Sequence, residues 1–234
     1  SDDHTKYRTK KDLDNDKKRD PIPLFKQACI ESKVIKENEF ESIENEIKKS
    51  IDEDAEWAES QNSPEPDSYS RNLFSEISGV ENIVSEVINP SGETCVMVDA
   101  INHALDEELN NNKKMLLYGQ DIAGGKGGVF TATRGLTEKH GKDRVFNSPL
   151  AESSIIGTAI GLSTLGYKPV VEIQFGDYIW TAMMQIRNEL ATLRYRSNGD
   201  WSCPLVIRVP VGGYIHGSLC HSQSIDGYFT HMPG

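Results

Sequence analysis

Apolar residues are spaced in two ways along this chain, and the change falls near residue 94. Before it they recur at helical intervals in a strongly polar background. Leu24, Ala28 and Cys29 or Ile30 follow Asp20-Pro21, a capping residue with a proline suited to the first turn. Phe40, Ile43, Ile47 and Ile51 then mark one face of an amphipathic helix of roughly six turns at most, ending before Asn62-Ser-Pro-Glu-Pro66. On another face Glu44 and Lys48 are spaced to pair. Residues 1–20, charged and nearly free of apolar side chains, read as a solvated loop. Gln61 to Ser70, rich in Pro, Ser and Asp, reads as a linker or extended arm.

Beyond Asn89-Pro-Ser-Gly92 the pattern alternates. Val98, Ile101, Leu105 and Leu109 predict a helix, Met115 to Tyr118 a short buried strand, and Gly119 to Gly128 a glycine-rich, flexible loop. Thr133 to His140 reads as helix, Arg144 to Phe146 as strand, and Ala151 to Leu165 as a helix whose small residues allow close packing. Pro169 to Ile173 is the next strand. Ile179, Met183, Ile186, Leu190 and Leu193 predict a long helix with a clean apolar stripe, and Leu205 to Val209 a last strand. The expected class is α/β, a mostly parallel sheet with helices on both faces, preceded by a helical segment. No internal repeat is visible.

Composition narrows the partners. The chain has 234 residues and a formal net charge of -11, which disfavours phosphate backbones and anionic lipid surfaces. Lys, Asp and Glu crowd the first third, whereas Val, Ile and Gly concentrate after Val96. The four cysteines, Cys29, Cys95, Cys203 and Cys220, contain no C-x-x-C pair and fit a reducing compartment, cytoplasm or an organelle matrix. No apolar run approaches the roughly 18 residues that span a bilayer. With no initial Met and a final Met232-Pro-Gly234, the chain reads as a segment of a longer polypeptide.

Open α/β sheets build their sites where strands end and helices begin, and three side chains fall at such places. Glu152 follows Asn147-Ser148-Pro149, which reads as a helix start; an acid there is also what the helix dipole alone would favour. Tyr178 closes Glu172-Ile-Gln-Phe-Gly-Asp-Tyr178, with a structural tyrosine as the alternative. His221, in Leu219-Cys-His-Ser-Gln-Ser224, is either a hydrogen-bonded surface residue or a proton shuttle. His216 and His231 complete a local set without the i, i+4 spacing of metal-binding histidines. Gly124-Gly-Lys-Gly-Gly128 lacks the Ser or Thr that a phosphate-binding loop needs after its lysine.

Phe146 to Glu152, Glu172 to Tyr178 and His221 to Ser224, in that order, resemble the pyrimidine-binding half of a thiamine diphosphate enzyme. The likeness is to the β chain of the decarboxylating component of branched-chain 2-oxoacid dehydrogenase and runs from about Thr94 to Gly234. It implies that Glu152 hydrogen-bonds the aminopyrimidine nitrogen remote from the thiazolium, in an apolar pocket that raises its pKa, with Leu150 and Ile155 as candidate walls. It further implies that Tyr178 packs on the pyrimidine, that Gln174 and Leu150 line the same pocket, and that His221 serves the lipoyl group or the acyl intermediate. The related motif Gly-Glu-Asp-Val stands here as Gly119-Gln-Asp-Ile122, which leaves the role of that acid in doubt.

The N-terminal part resembles the tail of the α chain of the same enzyme, in Ser1 to Arg8, Asp20-Pro-Ile-Pro23 and Asn72-Leu-Phe-Ser-Glu76. In mitochondrial relatives the corresponding loop carries a kinase-controlled serine; Thr9 stands there, and an unregulated loop is the alternative. The expected organisation is a helical α-type tail at 1–79, a linker at 80–93 and an incomplete pyrimidine-binding domain at 94–234. The family's Gly-Asp-Gly and paired-asparagine motif for diphosphate and Mg2+ is not in the sequence, so the resemblance implies a metal held by residues outside this chain. The implied partners are a 2-oxoacid, the lipoyl domain of an acyltransferase and the remaining α- and β-type domains. A pyruvate or acetoin dehydrogenase, or a non-catalytic assembly fragment, are the alternatives.

Overall fold

The structure is a computed structural model and describes residues 8–74 and 92–233. Most of the expected linker at 80–93 and the resemblance at Ser1 to Tyr7 lie outside the described residues. The chain divides into two compact units, Ser1–Pro66 and Asp67–Gly234.

The first unit is helical. α1, Lys10–Lys17, falls where a loop is expected. Its cause is a capping box: the Thr9 hydroxyl accepts the Asp12 N–H at 3.3 Å, and the Asp12 carboxylate accepts the Thr9 N–H at 3.1 Å. α2, Pro21–Glu31, starts as expected, with the Asp20 carboxylate accepting the Ile22 N–H at 2.9 Å. α3 is the amphipathic helix, Glu37–Ser60, ending just before Asn62. Glu44 pairs with Lys26 of α2 at 3.8 Å rather than with Lys48, and Lys49 takes Glu53 as its i+4 partner. Ile43, Ile47 and Ile51 of the expected stripe are exposed. Residues 61–65 have no regular structure, as a linker would, but Pro66–Ser70 closes a 3-10 turn.

The second unit is built on a four-stranded, wholly parallel sheet in the order β2-β1-β3-β4. The strands are β1 Met115–Gly119, β2 Val145–Asn147, β3 Lys168–Glu172 and β4 Val206–Arg208. Alternation along β1 divides the core between the faces. Met115 and Leu117 pack with Leu109 of α4, Met97–Asn111, and with Leu136 of α5, Leu136–His140. Tyr118 packs with Ile155, Ile156 and Ala159 of α6, Glu152–Thr164, together with Val171 and Ile173. The Arg144 guanidinium, just before β2, donates to the carbonyls of Leu109, Asn112 and Met115 and so closes the C-terminal end of α4.

Three expectations are corrected. The long helix from Ile179 is broken into a 3-10 turn at Gly176–Ala182, a π-helical turn at Gln185–Leu190 and the short α7, Leu193–Arg196. Its apolar stripe survives, with Ile179 and Ile186 buried, but Gly176 is packed too tightly against Val211 and Ile225 for an added side chain. Asn147, at the helix start expected from Asn147-Ser148-Pro149, lies outside α6. It ends β2, and its side chain accepts the Ala123 N–H at 2.8 Å, while the N-cap is Ala151. The Gly124 to Gly128 segment is a hydrogen-bonded turn: Gly128 N–H donates to Asp121 at 3.0 Å, and Thr133 N–H to Gly127 at 2.8 Å.

Candidate active site

From β1 the chain crosses to β2 on one side, and it later returns to β3 on the other. The C-terminal ends of β1 and β3 therefore flank a topological switch point, where the loops after the two strands part and leave a crevice. Gly119 pairs with Glu172 at this edge, and a Cβ on Gly119 would collide with the Glu172 carbonyl. The next residues face each other, and Gln174 Nε2 donates to Asp121 Oδ2 at 3.2 Å. Asp121 also meets Lys126 at 3.0 Å.

Glu152 opens α6 beside this edge. Gln120 Nε2 donates to its Oε1 and Thr181 Oγ1 to its Oε2, both at 3.0 Å. Ser153 ties α6 to the same turn, its hydroxyl donating to the Thr181 carbonyl. Burial pushes the Glu152 carboxyl up, but the hydrogen bonds from Gln120, its own N–H and Thr181 outweigh it, so the net displacement is downward. The expected apolar pocket with a raised pKa is thus corrected to a polar cradle. Leu150 is 82% exposed, and Ile155 belongs to the core, so neither walls off the carboxylate.

Tyr178 and His221 meet, 43 residues apart in sequence, with the phenol oxygen 2.7 Å from His221 Nε2. Phe175 stands edge-on to both rings, 5.6 Å from Tyr178 and 4.7 Å from His221 between centroids. The loop bearing His221 is held to the turn bearing Tyr178 where Asp177 Oδ2 accepts the Gln223 N–H at 3.3 Å. His221 and Phe175 border a largely apolar cleft of about 770 Å³ that reaches Val96, Ile101 and Tyr214. Among the described residues no three His, Cys, Asp or Glu side chains come together as metal ligands.

Two further groups belong to this edge: Gln120, which the sequence marks only as standing where the related motif has an acid, and Glu172, which opens the Glu172 to Tyr178 motif. Gln120 is 2% exposed. Glu172 is fully buried and ion-paired with Arg208, and its Oε1 accepts the Val129 N–H at 3.1 Å. Burial raises the Glu172 pKa, against the downward pull of Arg208 and Val129. The pair fixes the turn at Gly128, whose φ of +73° suits glycine and whose added Cβ would lie 3.1 Å from Glu172 Oε1. A charged Glu at a strand end and an Arg in the next strand become a pair only once β3 and β4 adjoin.

A parallel sheet with an acid, a polar amide and an aromatic–imidazole pair at its switch point is the frame of a cofactor site, and residues 93–234 match the transketolase pyrimidine binding domain. The chain belongs to that family. Residues 1–67 match the dehydrogenase E1 component, so one chain carries an E1-type segment followed by a pyrimidine-type domain. Among curated relatives, 2-oxoisovalerate dehydrogenase subunit beta of Bacillus subtilis is 50% identical over 137 residues, 58% of this chain and 42% of that protein. Pyruvate dehydrogenase E1 component subunit beta of the same species is 45% identical over 138 residues, 59% and 42% of the two chains. The mitochondrial 2-oxoisovalerate dehydrogenase subunit beta 2 of Arabidopsis thaliana is 45% identical over 150 residues, 64% and 41%. The chain spans about two-fifths of the length of these relatives.

Proposed function

We propose that this chain supplies the pyrimidine-binding half of a thiamine diphosphate-dependent 2-oxoacid dehydrogenase, with branched-chain 2-oxoacids as the favoured substrates. The observation that carries the reading is the Glu152 cradle: a carboxylate at the helix start beside the switch point, with both oxygens held by neutral donors. Each carboxylate oxygen has a second lone pair, so Glu152 retains capacity for a ring nitrogen. The residues present therefore fit a pyrimidine.

Thiamine diphosphate, when bound, supplies the electron sink for loss of carbon dioxide. Glu152 holds a proton at the pyrimidine nitrogen, and Thr181 and Gln120 keep the carboxylate aimed there. Tyr178 offers its ring as the stacking surface while its hydroxyl stays with His221. Gln174, fixed by Asp121, lines the edge, and Leu150 is free to meet a neighbouring domain. His221, bordering the apolar cleft, moves a proton at the sulfur of an incoming lipoyl group. Diphosphate and Mg2+ are held by residues outside this chain, in α-type domains assembled with it, and the acyl group passes to the lipoyl domain of an acyltransferase. The compartment is bacterial cytoplasm, with the mitochondrial matrix as the alternative.

The test is decarboxylation by the chain assembled with its α- and β-type domains, comparing 3-methyl-2-oxobutanoate with pyruvate. Higher kcat/KM on the branched substrate supports the reading. Preference for pyruvate, the substrate in the name of a relative 45% identical to this chain, would overturn the substrate assignment. Turnover of neither without added thiamine diphosphate, and of neither with it, would overturn the reaction.

A further inference from the structure

Gln120 is buried to 2% exposure, and a side chain so placed is ordinarily apolar or fully hydrogen-bonded. Its amide is only half satisfied. Nε2 donates to Glu152 Oε1 at 3.0 Å, while Oε1 is buried with no partner among the described residues. The orientation of the amide follows from that contact, because the reverse would set two oxygens, one of a carboxylate, against each other. An unpaired buried acceptor is costly, so packing alone would favour Leu or Met at this position. The amide is explained by what its donor does.

We propose that Gln120 is a positioning residue that fixes the Glu152 carboxylate at the switch-point crevice by donating a hydrogen bond to it, rather than a proton-exchanging partner of that carboxylate. The inference deepens the reading of Glu152 given above and rests on it for the meaning of the site. An amide has no proton to give up near neutrality, and its N–H bonds the charged carboxylate more strongly than the neutral acid. A glutamate at 120, as in the related motif, would set two carboxyls at hydrogen-bonding distance, where like charge forces them to share a proton. The groups that contact Glu152 are its own backbone N–H on α6, Thr181 on the following 3-10 turn and Gln120 after β1, all neutral, and no salt bridge reaches it among the described residues. An amide at 120 therefore favours the charged form of Glu152 without help from a nearby cation.

The experiment is a carboxyl titration of the whole chain, carrying 13C-labelled glutamate, without cofactor or substrate. Glu152 is assigned by its loss in Glu152→Gln. Gln120→Met keeps the volume and removes the donor; Gln120→Glu restores the acid. Intact folding is checked in each by the near-ultraviolet circular dichroism of the parent. The expected result is an upward shift of the Glu152 midpoint in Gln120→Met, and in Gln120→Glu two coupled steps of which one lies above the ordinary glutamate range. Thr181→Val, which removes the other side-chain donor, should raise the midpoint without producing a second step. An unmoved Glu152 midpoint in folded Gln120→Met overturns the proposal, as does a Gln120→Glu pair that titrates as two independent ordinary acids. If Gln120→Met does not fold, Gln120→Glu alone decides between coupled and independent titration. Because no reaction is read, this result stands or falls apart from the decarboxylation assay.

Discussion

Replacing Arg208 by Met should destabilise the second unit more than any loss of surface charge would. Glu172 has no exposed surface, and its two oxygens face Arg208 and the Val129 N–H. Arg208→Met keeps an unbranched apolar stem but leaves a buried carboxylate with one neutral donor. Breaking a buried pair from one side commonly costs about 3–5 kcal/mol, which for a unit of this size lowers Tm by about 6–20 °C. Glu172→Gln/Arg208→Met should recover most of that loss, since no buried charge remains. The pH dependence has a definite sign. The folded pKa of Glu172 is raised, by burial first, so the native state holds a proton that the unfolded state releases. Its contribution is fully present below the unfolded value of about 4.3 and is lost as pH rises through the higher folded value. Without Arg208 the folded value moves further up, so the decline should extend to higher pH. Urea unfolding followed by circular dichroism at several pH values reads all three quantities. A loss in Arg208→Met within the range of an exposed pair, about 1 kcal/mol or less, or a double variant no more stable than the single one, would refute the reasoning.

Gly128→Ala should cost about 1–3 kcal/mol, because φ is +73° with an extended ψ and the new methyl meets Thr133 Oγ1 and Glu172 Oε1; thermal unfolding against wild type measures it. His221→Ala in the assembled enzyme should reduce acyl transfer to a lipoyl domain more than turnover with an artificial electron acceptor. Equal losses in the two assays would remove the proposed lipoyl role.

The two central strands are legible because β1 and β3 are short apolar runs largely buried on both faces, the signature of a parallel sheet between helices. Met115 to Tyr118 and Pro169 to Ile173 fall within a residue or so of β1 and β3. α1 was not legible, since a helix without an apolar face leaves no periodicity and is nucleated by the Thr9 and Asp12 contacts. The broken segment from Gly176 reads as one helix in the sequence because a tight 3-10 turn and the wider π turn that follows offset each other and leave the average apolar spacing near that of an α-helix. What breaks it is tertiary: the packing of Gly176 on Val211 and Ile225 and the bond from Ser153 to the Thr181 carbonyl. Within the site, Glu152, Tyr178, Gln174 and His221 could be named from motif resemblance. Their couplings could not, because Gln120 reaches Glu152 across 32 residues and Tyr178 reaches His221 across 43. The apolar walls expected around Glu152 failed for the same reason: which neighbours enclose a helix start depends on the strand beside it, and that strand delivers an amide.

The central claim, that Glu152 acts on the pyrimidine, is tested most directly by proton exchange at the thiazolium carbon of thiamine diphosphate in the assembled enzyme, wild type against Glu152→Gln. Acid–base assistance of this kind is worth about 10²–10⁴-fold, so the glutamine variant should bind the cofactor, retain its fold and exchange slower by a factor in that range. Exchange at the wild-type rate with cofactor bound would contradict the account.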